Sequence, residues 1–446
     1  MDVLNQVRDA GVIGAGGAGF PTHAKLNATA EYILLNGAEC EPLLRVDQQL
    51  MALYPDAIIT GFAAAGHQVR AKQAIIGIKG KHKDVIEILK QRIEALGFSP
   101  YVQIHILPDV YPAGDEQVLV YELTGRIVPE CSIPLSVGCV VVNAETALNI
   151  AHALEGKSVT ETYVTLQGDI PRPVTLKVPV GMPVREVLMK SGITNLDDYG
   201  VIDGGPMMGR VMTSYDGYVS KKNKGYIILK KDHYLIRKKS MNEQQARIIG
   251  RTACEQCRMC TDLCPRYLLG HNMQPHKIMR AMKYMPDDLQ SAVTAQLCSQ
   301  CNLCELFSCP AHLSPRNINS WYKDRMRAAG IKYTPAEREY KTREARSYRL
   351  VPSKRLIARL GLSSFDGPAP LTGMEWNADE IGILLSQHVG TPAAPIVHTG
   401  DTVMAGQMIG AIREGSLGAP VHASMDGVVT DVTDSVIKIK VGSIHV

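Results

Sequence analysis

The sequence predicts a multidomain protein that combines α/β and α+β units and begins with a Rossmann-like domain. Three observations support this prediction. Short apolar runs alternate with helical patterns up to about residue 155, as in parallel sheets covered by helices. Eight of the 11 cysteines lie in two tight clusters between residues 254 and 309. From about residue 371, short alternating segments with regular turns indicate a small all-β domain.

The composition is that of a globular protein. Of 446 residues, 45% are hydrophobic and 5% aromatic, and the net charge is +4. This charge and this aromatic content do not indicate a nucleic-acid-binding protein. No apolar run reaches the roughly 18 residues of a membrane span, and the N-terminus lacks a secretory signal. We therefore expect a cytoplasmic protein without a membrane span, whose clustered thiols bind metal.

The first domain is expected over residues 1–155. Short apolar segments predict four strands, YILLNGAE, AIIGIKG, YVQIHIL and VGCVVVN, and the segments 84–96 and 115–125 predict helices between them. Strands that alternate with helices favour a parallel sheet, and such sheets bind ligands at the carboxyl ends of their strands.

The rest of the chain divides by composition. Residues 156–235 indicate a small α+β unit with turn-rich edges, and residues 236–350 are basic, helical and rich in cysteine. Residues 351–370 contain proline, serine and glycine with little sustained periodicity, which predicts a linker. Residues 371–446 form the predicted all-β domain.

The cysteine spacing predicts two [4Fe-4S] clusters. The first run follows C-x2-C-x2-C-x3-C-P, and the second has four residues before its last cysteine. In two-cluster ferredoxins the first three cysteines of a run bind one cluster, and the fourth, before proline, binds the other. Two zinc sites are the alternative, but zinc sites usually use paired C-x2-C units. The predicted ligand sets are Cys254, Cys257, Cys260 and Cys309, and Cys298, Cys301, Cys304 and Cys264.

A glycine-rich loop, GVIGAGGAGFPTHAKL, lies near the N-terminus. Gly14, Gly16 and Gly19 satisfy G-x-G-x-x-G, but only two apolar residues precede them, whereas a dinucleotide fingerprint follows a longer strand. Such a loop still lets backbone N–H groups approach a phosphate and a planar ring. Lys25 follows the loop, where its ammonium group would neutralise a phosphate.

Polar residues follow the first predicted strand. The segment NGAECEP places Asn36, Glu39 and Glu41 at the carboxyl end of that strand, where ligands of open α/β sheets gather. Carboxylates at this position suit ribose hydroxyls or a carboxamide, because a second phosphate would be repelled.

Together these motifs resemble the flavin- and NADH-binding domain shared by the complex I flavoprotein and the RnfC protein of the Rnf electron-transport complex. PAGDEQVLVYELTG and VVNAETALNIA resemble later segments of that domain. VTLQGDIPRP and VIDGGPMMG resemble the soluble-ligand-binding β-grasp (SLBB) unit, and PVHASMDGVV resembles the barrel-sandwich hybrid domain of RnfC. The resemblance covers essentially the whole chain and implies an FMN/NADH domain, an SLBB domain, a two-[4Fe-4S] ferredoxin-like domain and a barrel-sandwich domain in this order.

The resemblance further implies that FMN and NADH share one pocket and that no side chain acts as a catalytic acid or base. Phe20 would stack on the nicotinamide or adenine ring of NADH. The implied pocket residues are Gly14, Gly16, Gly17, Gly19, Phe20, Lys25, Asn36, Glu39, Glu41, Asp115, Glu116, Asn143 and Thr146.

Structural roles are the alternative for five of these residues. Phe20 suits a hydrophobic core. Asn143 and Thr146 suit a helix cap after a strand, and Asp115 and Glu116 suit the first turn of a helix.

The barrel-sandwich domain comes last here, whereas it usually comes first in RnfC proteins. This order resembles the cobalamin reductases of propanediol-utilisation microcompartments. It implies NADH-dependent reduction of cob(III)alamin to cob(II)alamin and cob(I)alamin for coenzyme B12 recycling in a bacterial microcompartment, with an adenosyltransferase and shell proteins as partners. The alternatives are an Rnf-type protein that exchanges electrons with ferredoxin, and a non-enzymatic ligand-binding scaffold. The hairpin AIREGSLGAP lacks a lysine, so no swinging lipoate or biotin is expected.

Overall fold

The computed structural model describes residues 2–442. The first unit alternates strands with helices, as the apolar runs predict, and the predicted helices 84–96 and 115–125 are confirmed within a residue or two of their ends. Its elements are α1 (Val3–Asp9), α2 (Thr22–Leu26), β1 (Tyr32–Gly37), α3 (Val46–Leu53), α4 (Pro55–Gln68), β2 (Gln73–Lys79), α5 (Lys83–Ala95), β3 (Val102–Leu107), β4 (Val110–Tyr111), α6 (Glu116–Thr124), β5 (Cys139–Asn143) and α7 (Ala144–Leu154).

The sheet of this unit is parallel, with strand order β3-β2-β1-β5. Tyr32 is in register with both Gln73 and Cys139, so β1 lies between β2 and β5. Helices α4, α5 and α7 pack on one face and α6 packs on the other, which explains why the central residues of β1 and β2 are apolar on both faces. Asn36 is in register with Asn143, so the carboxyl ends of β1 and β5 lie side by side.

The second unit is an α+β sheet, as predicted. The short strand Leu371–Thr372 from the C-terminal part adds to the edge of this sheet. The elements of the unit are β6 (Glu161–Gly168), β7 (Val174–Pro179), α8 (Val184–Met189), β8 (Tyr199–Asp203), β9 (Arg210–Val211), β10 (Gly225–Lys230) and the following helix α9 (Tyr234–Lys239).

The third unit is helical and contains both cysteine runs. Its hydrophobic core comes mainly from α13 and α14, together with the 3-10 segment Gln290–Leu297. A π-helical turn covers Cys304–Ser308. The α-helices are α10 (Glu243–Ala253), α11 (Met259–Asp262), α12 (Pro265–Leu268), α13 (Pro275–Tyr284) and α14 (Pro315–Ala328).

The predicted linker over residues 351–370 is a folded segment. It contains β11 (Val351–Pro352), which pairs with β4 of the first unit, and α15 (Ser353–Arg359). Leu356 and Leu360 are fully buried, and they share one helical face because they are four residues apart. The surrounding proline, serine and glycine residues concealed this short period in the sequence.

The C-terminal unit consists of two small sheets, in agreement with the predicted all-β domain. Beyond the edge strand β12 (Leu371–Thr372), its strands are β13 (Glu380–Leu384), β14 (Ala394–Pro395), β15 (Thr402–Val403), β16 (Met408–Ala411), β17 (Val421–His422), β18 (Gly427–Val432) and β19 (Val436–Val441). Within residues 2–442, every helix is too short or too polar to cross a lipid bilayer.

Three units meet behind the glycine loop. Lys221 of the second unit is 4% exposed, and its Nζ donates to the Gly11 carbonyl at 2.8 Å and to the Pro420 carbonyl at 3.1 Å. The backbone N–H of Val389 donates to the Gly19 carbonyl at 2.9 Å. The glycine loop is therefore held from outside by the second and C-terminal units.

Candidate functional site

The glycine loop forms a closed turn before α2. The Gly14 N–H donates to the Phe20 carbonyl at 2.8 Å, and the Gly19 N–H donates to the Gly14 carbonyl at 3.2 Å. Gly17 and Gly19 have φ angles of 96° and 69°, which favour glycine because a side chain is strained there. The loop shape thus depends on glycine at these two positions.

A cleft of about 160 Å³ opens between this loop and the carboxyl ends of β1 and β5. Eight of the thirteen residues that the sequence assigns to a cofactor pocket line it, namely Gly14, Gly16, Phe20, Lys25, Asn36, Glu116, Asn143 and Thr146.

Close approach of the loop to α7 requires glycine at position 16. A Cβ atom on Gly16 would lie 2.6 Å from Asn143 Oδ1, which is closer than side chains tolerate. The Ala15 N–H donates to Thr146 Oγ1 at 2.9 Å and ties the loop to the first turn of α7. Asn143 is the N-cap residue, but its side chain makes no capping hydrogen bond. The N-terminal turn of this eleven-residue helix therefore lines the cleft, where its dipole favours an anion.

Two polar side chains of the cleft are held by backbone groups. Lys25 Nζ donates to the Val141 carbonyl at 2.8 Å and to Glu116 Oε1 at 3.0 Å. Asn36 Nδ2 donates to the Gly114 carbonyl at 2.9 Å. These bonds fix a cation and an amide along one wall of the cleft. The Gly114 carbonyl and the hydroxyl of Thr22 were not predicted, although both residues lie in the quoted motifs.

Glu39 does not line the cleft, in contrast to the expectation from the sequence. Its carboxylate instead accepts the first backbone N–H groups of α3, including that of Asp47 at 3.0 Å. Burial, followed by the nearby Asp47 carboxylate, raises the pKa of Glu39. Lys224 of the second unit offsets this charge, because its Nζ lies 3.0 Å from Asp47 Oδ1 and 2.6 Å from Glu145 Oε2.

Glu41 and Asp115 also lie outside the residues that line the cleft. Glu41 accepts the backbone N–H groups of Met207 and Met208, each at 2.9 Å, and so binds the first unit to the second. Asp115 caps α6 and pairs with Arg266 of the cysteine-rich unit at 2.9 Å. Acidic residues in these sequence positions can serve a binding site or a domain contact, and the sequence does not distinguish the two. In this structure all three carboxylates are engaged in structural contacts.

The first predicted ligand set surrounds one cavity. A cavity of about 70 Å³ is lined by apolar residues such as Met279 and by Cys254, Cys257, Cys260 and Cys309. Cys309 comes from the second run and lies beside three cysteines of the first run, a position compatible with the ligand exchange of two-cluster ferredoxins. Among residues 2–442, no three Cys, His, Asp or Glu side chains converge on the position of a single metal ion.

The second predicted set lies at the contact between the first and third units, with Cys264 and Cys304 buried and Cys298 and Cys301 half-buried. Burial raises the pKa of Cys304 well above its usual value, and the nearby thiols of Cys298 and Cys301 raise it further. Burial also raises the pKa of Cys264 to about 12, and the Cys298 thiol contributes to this increase. The four thiols of the set therefore lie in one region of the third unit.

The two cysteine runs share one backbone conformation. Gln256 and Arg258 in the first run, and Gln300 and Asn302 in the second, have left-handed φ angles of 54–68°. The Gln300 N–H points at Cys298 Sγ at 3.4 Å. N–H groups directed at cluster sulfurs tune the reduction potential of the cluster. This repetition supports equivalent cluster-binding loops.

The π-helical turn explains the extra residue in the second run. A π turn closes over one residue more than an α turn, so Cys304–Ser308 accommodates four residues between Cys304 and Cys309. The first run needs no such turn, because three residues separate Cys260 from Cys264. The longer spacing therefore leaves Cys309 beside the cavity of the first run.

Three domain families match this chain. Residues 7–152 match the Nuo51 FMN-binding domain, residues 253–314 match a 4Fe-4S dicluster domain, and residues 370–444 match the RnfC barrel sandwich hybrid domain. The chain therefore contains an FMN-binding domain of the complex I type and a 4Fe-4S dicluster domain, which confirms the cofactors expected from the sequence.

Relatives match over almost the whole length. Cobalamin reductase PduS of Citrobacter freundii is 45% identical over 98% of this chain and 96% of its own length. Cobalamin reductase PduS of Salmonella typhimurium is 43% identical over the same shares. The RnfC-type component of the Na(+)-translocating ferredoxin:NAD(+) oxidoreductase complex of Acetobacterium woodii is 32% identical over 61% of this chain and 59% of its own length. This chain belongs to the PduS cobalamin reductase family.

Proposed function

We propose that this chain is an NADH-dependent oxidoreductase that reduces cob(III)alamin to cob(II)alamin and then to cob(I)alamin. The observation that carries the proposal is the 45% identity to a cobalamin reductase over 98% of the chain. The combination of a flavin-type cleft with two groups of four cysteines supports it, because this reaction converts a hydride donor into single electrons. The similarity to the ferredoxin:NAD(+) oxidoreductase component extends over only 61% of the chain.

The cleft fits FMN. Gly16 has no side chain where a Cβ atom would collide with Asn143, and the first turn of α7 offers N–H groups to a phosphate. Lys25 and Asn36 would contact the flavin from the opposite wall, and Thr146 would hold the loop in place. FMN, when bound, accepts a hydride from NADH and returns its electrons one at a time.

Phe20 and Glu116 would contact NADH. Both line the cleft beside the glycine loop, so an aromatic face and a carboxylate would be available to the nicotinamide or adenine ring and to ribose hydroxyls. Glu39, Glu41 and Asp115 would contact NADH only if their carboxylates left the hydrogen-bond and ion-pair partners that they have in this structure. The side chains of the chain bind and orient the two ring systems, and none is required as an acid or base.

The eight cysteines would hold two [4Fe-4S] clusters in the sets predicted from their spacing. The cavity around Cys254, Cys257, Cys260 and Cys309 supports the first set. The burial of Cys264 and Cys304, with the half-buried Cys298 and Cys301 nearby, supports the second.

The second unit would be an SLBB-type β-grasp. If the strands β6 to β10 are numbered one to five, their order in the sheet is two, one, five, three, four. The first and fifth strands are parallel, and α8 lies between the second and third. This order is the one expected of a β-grasp, and its role would be to dock the flavin and cluster units.

The cellular context follows the relatives. Cob(I)alamin is the substrate form that an adenosyltransferase would convert to coenzyme B12. We therefore place the protein in the cytoplasm, inside a propanediol-utilisation microcompartment, with an adenosyltransferase and shell proteins as neighbours.

The test is anaerobic turnover of protein reconstituted with iron, sulfide and FMN. We expect NADH oxidation that depends on added cob(III)alamin, with the absorption spectra of cob(II)alamin and then cob(I)alamin appearing in sequence. Gly16→Leu, which fills the cleft, should abolish the reaction, whereas Gly217→Ala, at a position with open space around it, should not. Turnover with ferredoxin but not with cobalamin would contradict the proposal.

A further inference from the structure

Two contacts join the flavin-binding unit to one cysteine set. Tyr111 of β4 is 2% exposed, and its hydroxyl donates to the carbonyl of Cys301 at 2.7 Å. Arg266, two residues after Cys264, donates through Nη2 to Asp115 Oδ2 at 2.9 Å. The first contact reaches Cys301 itself, and the second reaches the segment that follows Cys264. We call the set Cys264, Cys298, Cys301 and Cys304 the inner set.

The contact between Asp115 and Arg266 lies next to residues that line the cleft. Asp115 follows Gly114, whose carbonyl accepts Asn36 Nδ2, and Asn36 lines the cleft. The side chains of Asp115 and Arg266 are 10% and 11% exposed. Covalent and hydrogen bonds thus run from the wall of the cleft to the segment that carries Cys264, with little solvent access.

The remaining set, which we call the outer set, is separated from the flavin-binding unit. Its cavity is lined only by residues between 254 and 315. Within residues 2–442, no side-chain hydrogen bond or salt bridge of Cys254, Cys257, Cys260 or Cys309 reaches residues before 156. Cys257 is exposed at the surface, whereas each cysteine of the inner set is buried or half-buried. The outer set therefore has one thiol that solvent can reach.

We propose that the inner set holds the first iron–sulfur acceptor and that the outer set holds the exit cluster, from which the external acceptor is reduced. This inference deepens the proposed function and rests on it. One NADH becomes NAD+ and a proton, and its two electrons reduce the two clusters by one electron each. The balance needs no further reductant, and the external acceptor returns both clusters to their oxidised state.

Arg266 is the positioning residue of this arrangement. Its Nε and Nη1 are buried and have no hydrogen-bond partner among the described residues, and it follows Cys264 by two residues. A buried cation beside a cluster ligand favours the reduced state, which carries one more negative charge. The same guanidinium binds Asp115 of the flavin-binding unit. One side chain would thus set both the position of the segment that carries Cys264 and the reduction potential of the inner cluster.

The primary test removes one cluster at a time. Cys301→Ala and Cys257→Ala are purified anaerobically, and each is checked for half the iron of the wild-type protein. Rapid freezing after mixing with NADH, followed by electron paramagnetic resonance, then reports the reduced cluster, with dithionite defining full reduction. We expect NADH to reduce the remaining cluster in Cys257→Ala at the wild-type rate. In Cys301→Ala the remaining cluster is the outer one. We expect NADH to leave it oxidised on the same time scale, although dithionite still reduces it.

Any other pattern overturns the proposal, including NADH-driven reduction in both variants or only in Cys301→Ala. Bleaching of flavin absorbance by NADH is recorded in the same samples. Failure of bleaching would refute the proposed function itself, whereas bleaching with the wrong cluster pattern refutes only the order of the clusters.

A second measurement does not require Cys301→Ala to fold. In the Cys257→Ala background, a redox titration follows the inner cluster alone. Arg266→Gln should shift its midpoint potential to a more negative value and slow its reduction by NADH. Arg327→Gln, the matched change at an exposed arginine of α14, should alter neither. An unchanged potential in Arg266→Gln would refute the assigned position of Arg266.

Discussion

Replacing Lys221 tests the contact at which three units meet. Burial lowers the pKa of Lys221 from 10.5 to about 7. The neighbouring His422 stays neutral because burial also lowers its pKa, to about 3. Between pH 7 and 10.5 the unfolded chain holds a proton on this lysine that the folded chain lacks. The free energy of unfolding therefore rises with pH in this window, by up to about 1.4 kcal/mol per pH unit.

The expected difference between Lys221→Met and the wild-type protein follows from these values. The lysine titration contributes about 2 kcal/mol between pH 7 and 9, and the methionine variant lacks this contribution. Urea unfolding at both pH values, under nitrogen and in a Trp321→Phe background, follows the fluorescence of Trp376, whose Nε1 donates to the Lys177 carbonyl across the second and C-terminal units. All other titrations cancel in the comparison. Equal pH dependence in the two proteins would refute the argument that Lys221 is buried without a counter-ion.

Three further outcomes follow from individual contacts. Gly16→Ala places a methyl group 2.6 Å from Asn143 Oδ1, and we expect a loss of FMN affinity of roughly tenfold, equivalent to about 1.4 kcal/mol, measured from the fluorescence of released flavin. Cys309→Ser should lower the bound iron from about eight to about four atoms per chain, measured colorimetrically with a chelator. Lys224→Met leaves Glu145 buried without its cation and should lower the free energy of unfolding by about 3–5 kcal/mol, measured by urea unfolding.

Matched variants control these experiments. Gly217→Ala introduces a methyl group into open space and should retain flavin. Cys131→Ser changes an exposed cysteine outside both runs and should retain all the iron. Lys224→Arg keeps the positive charge and should lose less stability than Lys224→Met. If a control behaves like its partner variant, the contact named for that partner is not the cause of its effect.

The parallel sheet could be predicted because local patterns determine it. The apolar runs around Leu34 and Val141 are buried on both faces, and a strand of this kind has few alternatives to the centre of a parallel sheet. The exchange of Cys264 and Cys309 between two cysteine sets follows from the spacing and the prolines alone. The ligand sets themselves remain a prediction that iron analysis of single variants would test.

The positions of the acidic residues could not be predicted because they depend on distant segments. Glu41 meets Met207 and Met208, which lie 166 and 167 residues further along the chain. Asp115 meets Arg266, 151 residues away. A strand-end carboxylate has the same local sequence whether it faces a ligand or another unit, so only the tertiary structure separates the two cases.

The folded segment over residues 351–370 was concealed for another reason. Its helix α15 is only seven residues long, which is too short to show a repeated apolar period. Its stability comes from Leu356 and Leu360, which pack into a core shared with Tyr111 and Leu303. A short helix that depends on tertiary packing is not visible in propensity or periodicity.

The position of the C-terminal unit beside helix α1 has a consequence for the evolution of such proteins. Helix α1 and the hairpin 411–420 form opposite walls of one groove, so the start of the described chain and its last unit are spatial neighbours. A chain that begins with the barrel-sandwich unit and a chain that ends with it can thus form the same arrangement of units. Domain order along a gene is then free to permute during evolution while the electron-transfer architecture persists.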